Sequence, residues 1–64
     1  MGDFRAIFLK IDGLEEDDLG VRELDARTLV DAKTEAQVCT RPAGTNMIVI
    51  CRESQKVCRI GVGL

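Results

Sequence analysis

Apolar positions along this chain follow two patterns. Over residues 3–12 (DFRAIFLKID) both alternating sets are largely apolar. Phe4, Ala6 and Phe8 share one side with Lys10, and Ile7, Leu9 and Ile11 share the other with Arg5. Successive strand side chains point to opposite faces, so this segment predicts a strand covered on both sides, hence a central one. The second pattern is residues 46–64 (NMIVICRESQKVCRIGVGL), where two apolar runs flank a polar Glu53-Ser54-Gln55-Lys56. That arrangement predicts a hairpin. A turn over those four residues sets Arg52 opposite Val57, Cys51 opposite Cys58, Val49 opposite Ile60 and Met47 opposite Val62. Glu53 and Lys56 then close the end as an opposite-charge pair. The expected core face carries these apolar pairs. Ile48, Ile50 and Val57, beside Arg52 and Arg59, form the other face.

The middle of the chain is patterned less clearly. Asp12-Gly13-Leu14-Glu15 reads as a helix entrance, with Asp12 as cap and Glu15 three residues on, as in a capping box. Glu15, Glu16 and Asp17 then occupy a first turn, where the helix dipole favours anions, and Gly20 is a natural stop. From Val21 to Asp31 the signal is mixed: Val21 and Leu24 can share a helical face, and Thr28-x-x-Asp31 can start another helix. Residues 32–41 set Ala32, Thr34, Ala36, Val38 and Thr40 against Lys33, Glu35, Gln37, Cys39 and Arg41. Strict alternation predicts a strand over about 34–40. The helix alternative stays open, because Ala, Lys, Glu and Gln are helix formers and Leu29, Ala32 and Ala36 also fit a helical stripe. Arg41–Asn46, with Pro42 and Gly44, is a loop. The expected fold is α+β in a single domain spanning residues 1–64. It is a small three- to four-stranded antiparallel sheet, with one or two short helices between the first strand and the C-terminal hairpin.

Size limits what such a domain can do. A chain of 64 residues buries only about 60% of its unfolded surface, so its core is marginal. Domains of this size are often reinforced by disulfides, metals or oligomerisation. Three cysteines (Cys39, Cys51, Cys58) are an odd number with no close C-x-x-C pair, and there is no histidine. No disulfide framework and no zinc ligand set are therefore expected. Opposed Cys51 and Cys58 lie within disulfide reach in the expected hairpin, although reduced thiols packed as small apolar groups suit a cytoplasmic protein better. The longest apolar runs, Ala6–Leu9 and Met47–Cys51, are far short of the roughly 20 residues that span a bilayer. The N-terminal MGDFRAIF has no signal-peptide character, and Ala6 breaks the myristoylation pattern. A soluble cytoplasmic protein without a membrane partner is expected.

Charge changes the picture most. Residues 12–35 hold nine carboxylates (Asp12, Glu15, Glu16, Asp17, Asp18, Glu23, Asp25, Asp31, Glu35) and three bases, a net −6. The rest of the chain carries Asp3 and Glu53 against six bases, a net +4, so the overall −2 conceals a polar molecule. In a helix, Glu15–Asp18 supplies one carboxylate per ~1.5 Å of axis, close to the one charge per ~1.7 Å of duplex DNA. First-turn carboxylates also simply satisfy the helix dipole and keep a small protein soluble.

Other chemistry has less support. The Asp12–Asp18 segment lacks the alternating ligand order and terminal glutamate of a calcium loop, so no metal site is expected. No serine or threonine sits in a nucleophile motif, no histidine activates one, and no cofactor motif occurs, so catalysis is not expected. Arg52, Lys56 and Arg59 cluster at the hairpin tip, with Arg41 before it, and a basic ribbon can enter a DNA groove. Overall acidity and the lack of tyrosine and tryptophan oppose direct nucleic-acid binding.

In size and charge the chain is similar to small acidic inhibitors of phages and mobile elements, including DNA-mimicking anti-CRISPR proteins. The resemblance implies a non-catalytic mechanism, in which an acidic surface blocks a basic groove on a nucleic-acid-binding protein. The expected partner-binding residues are Glu15, Glu16, Asp17, Asp18, Glu23 and Asp25, acting as phosphate substitutes. One alternative is an assembly module that homo-oligomerises through Ile48, Ile50 and Val57 of the C-terminal hairpin. A further alternative is nucleic-acid binding through the basic hairpin.

Overall fold

A computed structural model describes residues 3–62. The reading of the extreme N-terminus falls in part on residues outside those described. Five elements follow one another: β1 (Phe4–Asp12), β2 (Glu15–Leu24), α1 (Leu29–Val38), β3 (Met47–Arg52) and β4 (Gln55–Gly61). The strands form one antiparallel sheet in the order β2-β1-β3-β4. β1 is an inner strand, as expected, but it is not covered on both sides: α1 packs on its Phe4, Ala6 and Phe8 side, and no described element lies over Ile7 and Leu9. The expected α+β class and antiparallel sheet are both present.

The core lies between α1 and the sheet. Phe4, Ala6 and Phe8 of β1 meet Leu24, Ala26, Ile48 and Ile50 beneath Ala32 and Ala36 of the helix. Three alanines (Ala6, Ala32, Ala36) are 0% exposed. A methyl group at each position lets the helix lie close to the sheet, leaving its depth to Phe4, Phe8, Ile48 and Ile50.

Three local expectations need correction. The acidic run forms a strand, not a helix. A helix between Gly13 and Gly20 would span barely two turns, too short to be stable without a packed face. As β2 the same residues pair along the whole of β1, from Asp12↔Glu15 to Phe4↔Leu24, and Leu24 becomes buried. The two glycines have other roles. Gly13 (φ 64°) takes the first central position of a two-residue hairpin loop, where positive φ is wanted. Gly20 (φ 155°) flanks a β-bulge, where pairing steps from Phe8↔Gly20 to Leu9↔Asp18.

Residues 34–40 are mostly helical rather than extended. Thr28 caps α1, its hydroxyl accepting from the Asp31 amide at 3.2 Å, and Ala32 and Ala36 are the buried stripe. The two residues that become buried, Ala32 and Ala36, would give a strand little bulk to pack, and Ala, Lys, Glu and Gln in this stretch favour a helix. The exposed apolar side of a four-stranded sheet needed a cover, and a helix supplies it.

The hairpin exists, in a different register. Its loop is Glu53-Ser54, with Arg52↔Gln55 and Cys51↔Lys56. An irregularity then shifts the pairing to Ile50↔Cys58, Val49↔Arg59, Ile48↔Ile60 and Met47↔Gly61. An odd shift exchanges the faces of one strand relative to its partner. Cys58, Ile60 and Val62 pack on the core as expected, but opposite Ile48 and Ile50 instead of Met47, Val49 and Cys51.

Candidate interaction surface

Strand geometry decides where each acidic side chain goes. Even-numbered residues of β1 face α1, so Arg5, Ile7, Leu9 and Ile11 lie on the open side of the sheet. Their partners on β2 are Glu23, Val21, Asp18 and Glu16 respectively. Glu15 and Asp17, opposite Asp12 and Lys10, turn to the helix side. The six expected contact residues therefore do not share one wall. Glu16, Asp18 and Glu23 are on the open face, and Glu15 and Asp17 on the other. Asp25 follows the strand at its far end, its amide donating to both Glu35 carboxylate oxygens at 3.1 and 3.2 Å.

The acids do gather along an edge. β2 is an outer strand, and Glu15, Glu16, Asp17 and Asp18 are all exposed at the end nearest the hairpin loop. Among the described residues no basic group comes within 4.0 Å of these four carboxylates. Glu23 differs, with Arg5 Nη2 at 3.7 Å from its Oε1. Asp18 Oδ1 accepts from the Gly20 amide at 3.1 Å, which steadies the bulge. Leu14 projects from the loop, 105% exposed, with Asp12 and Glu15 on either side. Sequence reasoning took Leu14 for a helical residue and so missed it as a contact candidate.

The basic residues are divided. Arg52 is on the helix side, its guanidinium carbon 5.7 Å from the centre of the Phe4 ring. Lys56 and Arg59 stand on the open face opposite Cys51 and Val49. Arg41 donates from Nη1 to the Gln37 carbonyl at 3.3 Å. They do not form the single basic ribbon expected of a groove binder. The hairpin surface expected for self-association is also internal at its centre, since Ile48 and Ile50 are 0% exposed.

The open face carries features that the sequence did not reveal. Three rows cross the four strands in register: Glu23–Arg5–Cys51–Lys56, Val21–Ile7–Val49–Arg59 and Asp18–Leu9–Met47–Gly61. Its middle is apolar, and Leu9 and Val49 are only 7% and 2% exposed, shielded by neighbouring side chains, since no element among the described residues covers them. Two half-open grooves lie on this side. One, of about 470 Å³, is lined in part by Arg5, Ile7, Glu23, Cys51, Ser54 and Lys56. The other, of about 260 Å³, is lined by Ile7, Leu9, Glu16, Asp18, Val49 and Lys56.

The three cysteines are free thiols. Cys51 and Cys58 fall on opposite faces, so the expected cross-strand opposition does not occur. Among the described residues, no three Cys, Asp or Glu side chains gather as metal ligands would. No helix there is long and apolar enough to cross a membrane. No family model, curated protein or solved structure matches this chain.

Proposed function

We propose that this chain is a small non-catalytic inhibitor that acts in the cytoplasm by protein binding, offering the acidic end of β2 to a basic groove on a nucleic-acid-binding protein. The reading rests on the exposed run Glu15–Asp18 along an outer strand, where among the described residues no basic group lies within 4.0 Å of a carboxylate. Antiparallel strands rise about 3.4 Å per residue, so this edge carries one carboxylate per ~3.4 Å. One strand of duplex DNA carries one phosphate charge per ~3.4 Å of axis. Alternation sends these carboxylates to both sides of the edge, so a groove that encloses the edge meets them all. Leu14 at the tip supplies an apolar contact that carboxylates alone lack. Glu23 and Asp25, one paired with Arg5 and the other at the far end of the strand, contribute less.

The test is capture of a partner from the native host on the immobilised protein. Glu15→Lys with Asp17→Lys abolishes capture while circular dichroism stays native, and wild-type capture is released by raised salt. Unchanged capture by the double variant overturns the reading.

A further inference from the structure

We infer that the open face of the sheet is a self-association surface, on which two copies of this chain pack face to face about a two-fold axis parallel to the strands. The inference goes beyond the proposed inhibitory role and concerns the open face of the whole sheet, whose β2 flank includes Glu16 and Asp18 of the acidic edge.

A single sheet side in a small domain normally either faces water with polar side chains or packs on another layer. Here Ile7, Leu9, Met47 and Val49 form a contiguous patch in which Ile7 and Met47 are half-buried and Leu9 and Val49 are already buried by their neighbours, so the apolar surface left to a partner is that of Ile7, Met47 and the adjacent Val21, 54% exposed. α1 lies on the other side, and no remaining element of the described chain covers this one.

The flanks identify the occupant. On the β2 side the face ends in acids, Glu16, Asp18 and Glu23. On the β4 side it ends in bases, Lys56 and Arg59. A two-fold axis parallel to the strands exchanges the left and right flanks and keeps the rows in place. It sets Glu23 over Lys56 of the second copy, with Arg59 of that copy one row from both Glu23 and Asp18. The same operation sets Ile7 over Val49 and Leu9 over Met47, apolar on apolar, at the ~10 Å spacing of stacked sheets. A two-fold axis across the strands would instead lay acids over acids and bases over bases. Charge thus selects one of the two symmetric arrangements, and the contact closes as a dimer.

The area sets the strength. Four strands about 4.8 Å apart and some six residues long present on the order of 400 Å² per copy. Stable complexes bury about 800 Å² per partner, so this dimer is weak, reversible and sensitive to salt.

Sedimentation equilibrium of the full chain over a wide concentration range tests it. The wild type passes from monomer to dimer as concentration rises, and salt shifts the transition to higher concentration. Lys56→Glu alone and Glu23→Lys alone each weaken association at least about tenfold by opposing like charges. An equimolar mixture of the two variants restores the dimer, because each copy then supplies the charge its partner needs at both contacts. Both residues are exposed, and circular dichroism confirms that the variants fold. A strict monomer at every concentration, a mixture that stays monomeric, or species growing beyond the dimer by edge-to-edge pairing would each overturn the inference. The strict monomer would leave the face to a different protein.

Discussion

The side chain of Asn46 bonds to the backbone of Ile11 in both directions. The Ile11 amide donates to Asn46 Oδ1 at 2.8 Å, and Asn46 Nδ2 donates to the Ile11 carbonyl at 2.8 Å. The Asn46 backbone continues the lattice, its amide donating to the Leu9 carbonyl at 3.0 Å and its carbonyl accepting from Val62 at 3.1 Å. A carboxamide here acts as one more peptide unit of β3 and ties three strands at one end of the sheet. Asn46→Ala should lower unfolding stability in urea by about 1–3 kcal/mol, the net value of two such bonds. Asn46→Asp should cost at least as much, because it replaces the donor with an oxygen facing a carbonyl. A loss below half a kilocalorie for Asn46→Ala, within the range of ordinary surface changes, would mean that the pairing is not a structural tie.

The β3–β4 loop is a second point of leverage. Glu53 and Ser54 both have positive φ, 54° and 91°. Tight hairpins favour this geometry, but Asn-Gly is the usual pair because other residues pay a steric cost. Ser54→Gly should raise stability by about 0.5–1 kcal/mol despite the flexibility it adds to the unfolded chain. Glu53→Asn with Ser54→Gly should raise it further. Thermal melts read the change directly. A lower melting temperature for both variants would contradict the strained-turn assignment.

The helix–sheet contact predicts the opposite response to added bulk. Ala36 is fully buried where α1 meets the sheet. Leucine is nearly as good a helix former as alanine, so Ala36→Leu isolates the packing effect. It should destabilise by about 1–3 kcal/mol through overpacking. Lys33→Ala, on the exposed side of the same helix, should change stability by less than about 0.5 kcal/mol. A neutral Ala36→Leu would show that the helix can lift away from the sheet without loss.

How much of this was readable from residues alone varied with the kind of signal. The central position of β1 was legible because both of its alternating sets are apolar. The C-terminal hairpin was legible because two apolar runs flank the polar Glu53–Lys56 segment. Its register was not, since Glu53-Ser54 is an atypical turn and the pairing shift between Ile50 and Cys51 leaves no mark in the residue types. Asp12-Gly13 and Gly20 suit a capped helix as well as a turn and a bulge. The acids of the candidate site were visible by number, but their distribution over two faces depends on period two in place of 3.6, which follows only from strand or helix.

The order of residues alone set the chain's unequal charge, its apolar first strand and its lack of histidine, because these are properties of composition and spacing. Tertiary structure decided what that charge became. Pairing with β1 drew Glu15–Asp18 into an outer strand, and the need to cover Phe4, Phe8, Ile48 and Ile50 turned residues 29–38 into a helix. The physical reason is that both segments have weak local preferences. Long-range burial and backbone pairing outweigh such preferences, and neither is written in any short stretch of the chain.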